Sequence, residues 1–450
     1  MKVNRTKPPQ SMNKIEFEIP KINSFMLPNG IESIIVKKSK LPIVQVDLNF
    51  FSGSINDPID KYGLANLTSL LIDEGAGNYS ALELDNEFEK LGIAFDVSAS
   101  NDIVNFSFLA LKEYFEKAVE LLSLIINQPA FNEEDMKREK TKALSSLFRL
   151  SAEPDFIATI ALNKIILANN PYSKPVFGLK KTLQNISVDD CRAFAENNFT
   201  MDNSHLTIVG DINSDAACKI FEKYFPLNPR KKKPQLCQDE DIMRCANNYI
   251  IHKENSDQSK IRIGKIISNR NEGNHFARLI WNSILGGDFI SRINLNLREN
   301  KGYTYGAHSY LQYYKSISFF AVATSVDTPN TINAIKEIFS EFEKIIDTIS
   351  VDEINFTKSF LIKKFSSMFE TYQQISRNYF SLKYHDLPLD YFNNYIRSIK
   401  NVSKEEIIDS VRNEIIPKEM KLIIVGDKNA IKSQAKDLYN FSEMSIEELF

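Results

Sequence analysis

Along the first half of the chain the apolar residues change period several times. Val44, Val46, Leu48 and Phe50 fall on every second position, the spacing of a strand with one buried face. Leu64, Leu67, Leu70 and Leu71 then repeat at three to four residues and predict a helix that ends near Gly75. Ser80, with Glu83 three residues on, has the form of a capping box. The helix it opens carries Leu84, Phe88 and Leu91 on one face and stops at Gly92. Ile93, Phe95 and Val97 alternate again, residues 105–111 read as another strand, and residues 114–127 return to helical spacing ahead of Pro129. In the second half residues 319–325 read as a strand and 352–369 as a long helix. Hairpin-like strand pairs between long helices predict an α+β fold of mostly antiparallel sheets covered by helices.

The chain also repeats itself. His205-Leu206-Thr207-Ile208-Val209-Gly210-Asp211-Ile212 returns as Lys421-Leu422-Ile423-Ile424-Val425-Gly426-Asp427-Lys428, with the two glycines 216 positions apart. The same offset lays Ile186-Ser187 on Val402-Ser403, each serine an N-cap signal ahead of a helical pattern. Two homologous domains follow, residues 1–235 and 236–450, joined through a stretch rich in proline and charge. The length of 450 residues agrees with two domains.

Composition narrows the function classes. With 43% hydrophobic and 25% charged residues the chain is globular, and its net charge of -3 gives no footprint for nucleic acid. Its one dense basic run, Arg230-Lys231-Lys232-Lys233, reads as a solvated linker. No apolar stretch approaches the roughly 18–20 residues of a spanning helix. The polar start predicts a cytoplasmic protein as written, or a periplasmic one if an export signal has been removed. Cys191, Cys218, Cys237 and Cys245 form no C-x-x-C pair and read as free thiols.

A helical pair of histidines flanking a glutamate would be the strongest hydrolase signal. The five histidines, 205, 252, 275, 308 and 385, contain no pair at that spacing. A nucleophile elbow, a phosphate loop and a dinucleotide fingerprint are also absent from the sequence. Yet Gly63-Leu64-Ala65-Asn66-Leu67-Thr68-Ser69-Leu70, preceded by Phe51-Ser52-Gly53-Ser54 and Asp57-Pro58, resembles a known segment. It is similar to the one that carries the inverted zinc motif H-x-x-E-H in pitrilysin, insulinase and mitochondrial processing peptidase. The resemblance puts Asn66 and Leu70 at the two histidine positions and Ser69 at the glutamate. The family's further glutamate ligand falls near Ser145 or Ser146. Neutral oxygen donors bind zinc poorly and leucine does not bind it, so no metal is expected in this chain. Asp73, Glu74 and Glu139 read as solvated carboxylates at a helix end and on an exposed helix face.

The second half resembles another part of the same family. Leu285-Gly286-Gly287, Ser291-Arg292, Leu297-Arg298-Glu299, Lys301-Gly302-Tyr303 and Tyr305 follow its C-terminal pattern, and Asn170-Pro171-Tyr172 with Pro175 and Gly178 is a further recurrent segment. The resemblance implies that Arg298 and Tyr305 reach across to a zinc site. There tyrosine donates to an oxyanion and arginine anchors the substrate. Gly286 and Gly287 join them on the substrate side, serving either a close backbone approach or a turn.

Bacterial members of this length often work as two chains, so the resemblance implies a non-catalytic subunit of a heterodimeric zinc peptidase, one half of a clam shell. Arg298 and Tyr305 assist in trans, a homologous H-x-x-E-H subunit holds the zinc, and the substrate is a peptide or unfolded segment. The alternative is an inactive scaffold or peptide-binding protein of the same fold, with a homodimer possible when the chain is alone.

Overall fold

The computed structural model describes residues 17–168, 170–225, 247–435 and 440–450. The boundary at 235/236, the basic run and Cys237 and Cys245 lie outside the described residues. Two six-stranded sheets organise the rest. The first runs Ile22–Met26, Glu32–Lys37, Ser204–Gly210, Ile43–Phe50, Val104–Leu111, Ala94–Ala99. The second repeats that order as Ser442–Glu443, Asn248–His252, Lys421–Gly426, Gln258–Ile267, Ser318–Asp327, Ala307–Tyr313. Each sheet has a parallel pair at matching places, Glu32–Lys37 with Ser204–Gly210 and Asn248–His252 with Lys421–Gly426. The sheets depart from each other at one outer strand, which is antiparallel in the first and parallel in the second.

The internal repeat is therefore a structural repeat. Its most legible words, 205–212 and 421–428, contain strands buried on both faces: Leu422 and Ile424 enter one core, while Ile423 and Val425 enter another. A strand covered on both sides reads as a continuous apolar run and not as an alternation. The serines of the repeat cap Val188–Asn198 and Lys404–Glu414, each in a capping box. Ser80 and Glu83 form the predicted box as well. The predicted helix over 352–369 is α-helical only over Val351–Lys364. It tightens into a 3₁₀ segment at Phe365–Phe369, which turns Phe365 and Phe369 into the core, their rings 5.5 Å apart. The helix expected to end near Gly75 ends at Leu71.

Each half also lends a helix to the other. Pro154–Ile166, from the first half, lies on the second sheet, where Ile157, Ala161, Leu162 and Ile165 pack with Ile251, Phe319, Ile423 and Val425. Arg262 of that sheet, almost fully buried, pairs with Asp155 at 2.5 Å. Tyr372–Tyr384, from the second half, lies on the first sheet. Ile375 and Tyr379 share a core with Ile34, Val36 and Val209, the Ser376 hydroxyl bonds to Asp47, and Lys383 pairs with Glu32.

The two halves meet at Asp102, in the turn between Ala94–Ala99 and Val104–Leu111. Its buried carboxyl accepts hydrogen bonds from the hydroxyls of Tyr172 and Tyr384 and from the Lys315 N–H at 3.4 Å. Tyr172 stacks on Tyr314 at 4.6 Å. Burial raises the Asp102 pKa against the pull of these bonds. A buried hydrogen bond to a charged acceptor is worth about 1.5–3 kcal/mol. Tyr384→Phe is accordingly expected to lower the midpoint of urea unfolding by that much stability. An unchanged midpoint would mean that the junction is held elsewhere.

Candidate functional site

The segment that resembles the zinc helix is held by its own chain. Asp57, 1% exposed, accepts the N–H groups of Gly63 at 2.7 Å and Ala65 at 2.9 Å and so satisfies the start of Leu64–Leu71. Gly63 has φ 98, and a Cβ there would stand 2.9 Å from the Gly178 Cα. Leu64, Leu67 and Leu71 face the core. The three positions that the resemblance sets against the zinc motif do not build a metal centre. Asn66 is half-buried, Leu70 is 37% exposed, and the buried Ser69 hydroxyl donates to the Asn66 carbonyl at 2.7 Å. On Glu133–Leu150, Ser145 and Ser146 are exposed and Ser145 donates to its own helix at Thr141. These residues do not fit zinc. Among the described residues no group of three or more His, Cys, Asp or Glu side chains is placed to hold a metal ion. His205, for example, is buried against Phe380 at 5.8 Å, and burial pushes its pKa down to about 4.

The neighbouring carboxylates correct the sequence reading. Glu139 is 4% exposed, not solvated, and lies between Arg138 at 3.2 Å and Lys142 at 2.6 Å. Arg138 also holds Glu74 at 2.6 Å and Asp135 at 2.5 Å. Asp73 is partly buried at the helix end, and burial with the nearby charges of Glu74, Glu139 and Asp96 pushes its pKa up to about 7. Helical spacing alone could not tell which face of Glu133–Leu150 would turn inward against Leu64–Leu71.

The second half builds a different site. The helix His275–Asn282 widens into a π-type turn, Ser283–Gly287. A Cβ on Gly286 would stand 2.6 Å from Ser309 Oγ, and one on Gly287 would stand 2.7 Å from Asn282 Nδ2. Close approach, not a turn, accounts for both glycines, and what approaches is the chain itself. Asn294 ties the next loop, donating to the Phe289 carbonyl at 2.6 Å and accepting from Ala307 N–H at 3.0 Å. Arg298 stands in Leu295–Asn300 with its guanidinium 4.2 Å from the Phe289 ring centre. One of its nitrogens reaches Glu299 at 3.3 Å, while Nη1 is buried without a hydrogen-bond partner. Tyr305 is 97% exposed.

Gly286, Gly287 and Tyr305 line one cleft of about 410 Å³, together with Phe289, Phe360 and Lys364. Arg298 is not in its wall but reaches it through Phe289. Asn66, Ser69 and Leu70 are not in that wall either. Sequence reasoning missed Phe289, Phe360 and Lys364, and the available signal was slight: Phe360 and Lys364 stand one turn apart on Val351–Lys364.

Comparison with known proteins supplies the family. A profile described as Insulinase (Peptidase family M16) matches residues 33–180, and one described as Peptidase M16 inactive domain matches residues 185–361. The chain belongs to peptidase family M16. One M16 relative, the "Non-peptidase homolog YmxG" of Helicobacter pylori, is 22% identical over 396 residues, spanning 87% of this chain and 91% of that one. The mitochondrial-processing peptidase subunit beta of Saccharomyces cerevisiae is 21% identical over 223 residues, 50% of this chain and 48% of that one. The crystal structure of a peptidase M16 inactive domain from Pseudomonas fluorescens superposes with a TM-score of 0.83 at 21% identity. It covers 90% of this chain and 98% of that chain, and it shares the fold. Among the described residues no helix is long and apolar enough to cross a membrane.

The raised Asp73 pKa has a definite sign. The folded state holds the proton to about pH 7 whereas the unfolded chain releases it near 3.8, so ionising Asp73 destabilises the fold progressively as pH rises through that window. Asp73→Asn is expected to raise the melting temperature more at pH 8 than at pH 5, since every tenfold difference in proton affinity between the folded and unfolded chain corresponds to about 1.4 kcal/mol. An equal effect at both pH values would place the Asp73 pKa near its ordinary value.

Proposed function

We propose that this chain is the non-catalytic member of a two-chain M16 peptidase, lending Arg298 and Tyr305 to the zinc site of a homologous H-x-x-E-H subunit. In this reading residues 1–235 are a peptidase unit with a blank centre, and residues 236–450 are the unit that works on substrate. The observation that carries it is Tyr305, 97% exposed beside a cleft, in a chain whose own zinc-motif positions hold Asn66, Ser69 and Leu70. Arg298 adds a buried Nη1 without a partner. That one M16 relative is named as a subunit agrees with the reading.

The roles follow from donor chemistry. The Tyr305 hydroxyl donates to a peptide carbonyl oxygen as negative charge gathers on it in the transition state, the interaction most productive when the donor is preplaced. Arg298, its guanidinium over the Phe289 ring, offers N–H groups to a substrate carbonyl or carboxylate. Gly286 and Gly287 border the path of the substrate backbone. Substrates are short peptides or unfolded segments able to lie extended.

A scaffold or peptide-binding protein without proteolysis is the second reading. It is favoured by Gly286 and Gly287, whose bareness Ser309 and Asn282 explain without any substrate, and by the relative named a non-peptidase homolog. Cleavage of a quenched peptide library by the chain alone, by a zinc-motif homologue alone and by their mixture separates the two. Activity is expected only in the mixture. Tyr305→Phe is expected to lower kcat by about 100-fold, and Arg298→Ala to raise KM. Silence in every mixture, or indifference to both substitutions, would favour the scaffold.

A further inference from the structure

Residues 442–450 start on the second sheet and finish on the first half. Ser442–Glu443 is the outer strand beside Asn248–His252, pairing in parallel at Tyr249 and Ile250, and the Met444 N–H donates to the Ile250 carbonyl at 3.1 Å. Lys428 and Lys432 hold Glu443 at 3.0 and 2.6 Å, in ion pairs open to water that add little. A tight turn follows, in which the Ser445 N–H donates to the Glu448 carboxylate at 2.9 Å and the Leu449 N–H to the Ile446 carbonyl at 3.0 Å.

Beyond that turn every contact is with the first half. The Glu448 carbonyl accepts from the Lys164 ammonium, and the Phe450 carbonyl accepts the Lys180 N–H at 2.8 Å. The Phe450 ring stacks on Phe156 at 6.0 Å. Met444 and Leu449, 5% and 2% exposed, enter the core that Pro154–Ile166 forms against the second sheet. The segment thus bridges the halves at a place separate from Asp102.

Its packing is loose on both flanks. A cavity of about 610 Å³ is walled by Ile446 and Phe450 together with Leu144, Leu147, Phe148 and Leu179, and Phe148 is 81% exposed. Another, of about 350 Å³, lies against Ile250 and His252. Two apolar plugs and a few backbone bonds bordered by open space belong to the low end of local stability. Lys421–Gly426, by contrast, is paired on both sides and covered on both faces.

We propose that residues 442–450 are a clasp that fastens the second sheet to the first half and opens as a unit while both sheets stay folded. Opening uncovers the Asn248–His252 edge and the two apolar pits left by Met444 and Leu449. It also removes one wall of the larger cavity, whose other wall includes the Glu133–Leu150 helix that packs on Leu64–Leu71. None of the clasp residues lines the Tyr305 cleft, so the device is independent of the proposed function.

Hydrogen exchange of the full chain, resolved by mass spectrometry, tests the opening without any substitution. The Met444, Leu449 and Lys180 amides are expected to exchange together. Their protection should be about tenfold or more below that of Leu422 to Val425 and about tenfold or more above that of a free peptide of the same sequence. Protection equal to the central strand would make the segment part of the core, and protection equal to the free peptide would mean that it is not seated; either overturns the clasp. A chain cut after Asn440 supplies the second measurement. It is expected to stay folded and to bind a labelled peptide of residues 441–450 in fluorescence anisotropy, with Leu449→Ala in the peptide weakening binding about tenfold. The full chain, its site already filled, should bind that peptide at least about tenfold more weakly. A cut chain that cannot fold, one that does not bind the peptide, or equal binding by cut and full chains would each overturn the proposal.

Discussion

The exchange of helices between the two halves sets the limits for everything else in this chain. Pro154–Ile166 leaves the first half to cover the second sheet, and Tyr372–Tyr384 makes the reverse journey. Each central strand is thereby buried on both faces, and each sheet is completed by residues from the far half of the sequence. Asp102, Tyr172, Tyr384 and the Lys315 backbone join the halves at a buried polar point, alongside the Arg262–Asp155 and Ser376–Asp47 contacts. A carboxyl buried there is stable only with all its donors in place. Dividing the chain between the repeats would strip one face from each sheet, so the two units behave as one body although they are copies.

What could be read in the sequence follows from this division. The strands around Val209 and Val425 stood out because burial on both faces demands an apolar run, and the serines ahead of Val188–Asn198 and Lys404–Glu414 because capping is local chemistry. Helix exchange left no mark, since an apolar helical face looks the same whichever sheet it covers. The burial of Glu139 was hidden for a related reason: its fate depends on how one helix rotates against another. The cleft was half legible. Gly286, Gly287 and Tyr305 came from family likeness, whereas Phe289 and Phe360 are ordinary aromatics until the fold brings them together.

The helix that resembles the family's zinc helix shows how chemistry and scaffold separate. Leu64, Leu67 and Leu71 share the buried face of Leu64–Leu71, and Asp57, Gly63 and Gly178 fix where the helix begins. Asn66 and Leu70, four residues apart, lie toward the outside. Changes there leave the packing face untouched and cost the fold little, so the helix keeps its place whatever stands at those two positions. The same separation explains why the likeness to M16 proteins runs through structure even where identity is near one residue in five.

Around Tyr305 the relation is reversed, because the frame is rigid and the side chain is free. The Tyr303 N–H donates to the Leu297 carbonyl at 2.8 Å, the Thr304 hydroxyl closes on Gly306, and Asn294 ties Ala307 to the Phe289 loop. Such anchoring holds the backbone in one place while the phenol projects into solvent. A donor left exposed gains nothing for the fold, since water satisfies it equally well. In the proposed function its placement acquires a consequence when a peptide carbonyl displaces that water, and the apolar rings beside it would make the displacement favourable by excluding water from the same contact. The anchored loop, the exposed phenol and the aromatic wall are thus parts of one arrangement, in which the chain fixes the geometry and, in the proposed function, a peptide supplies the burial.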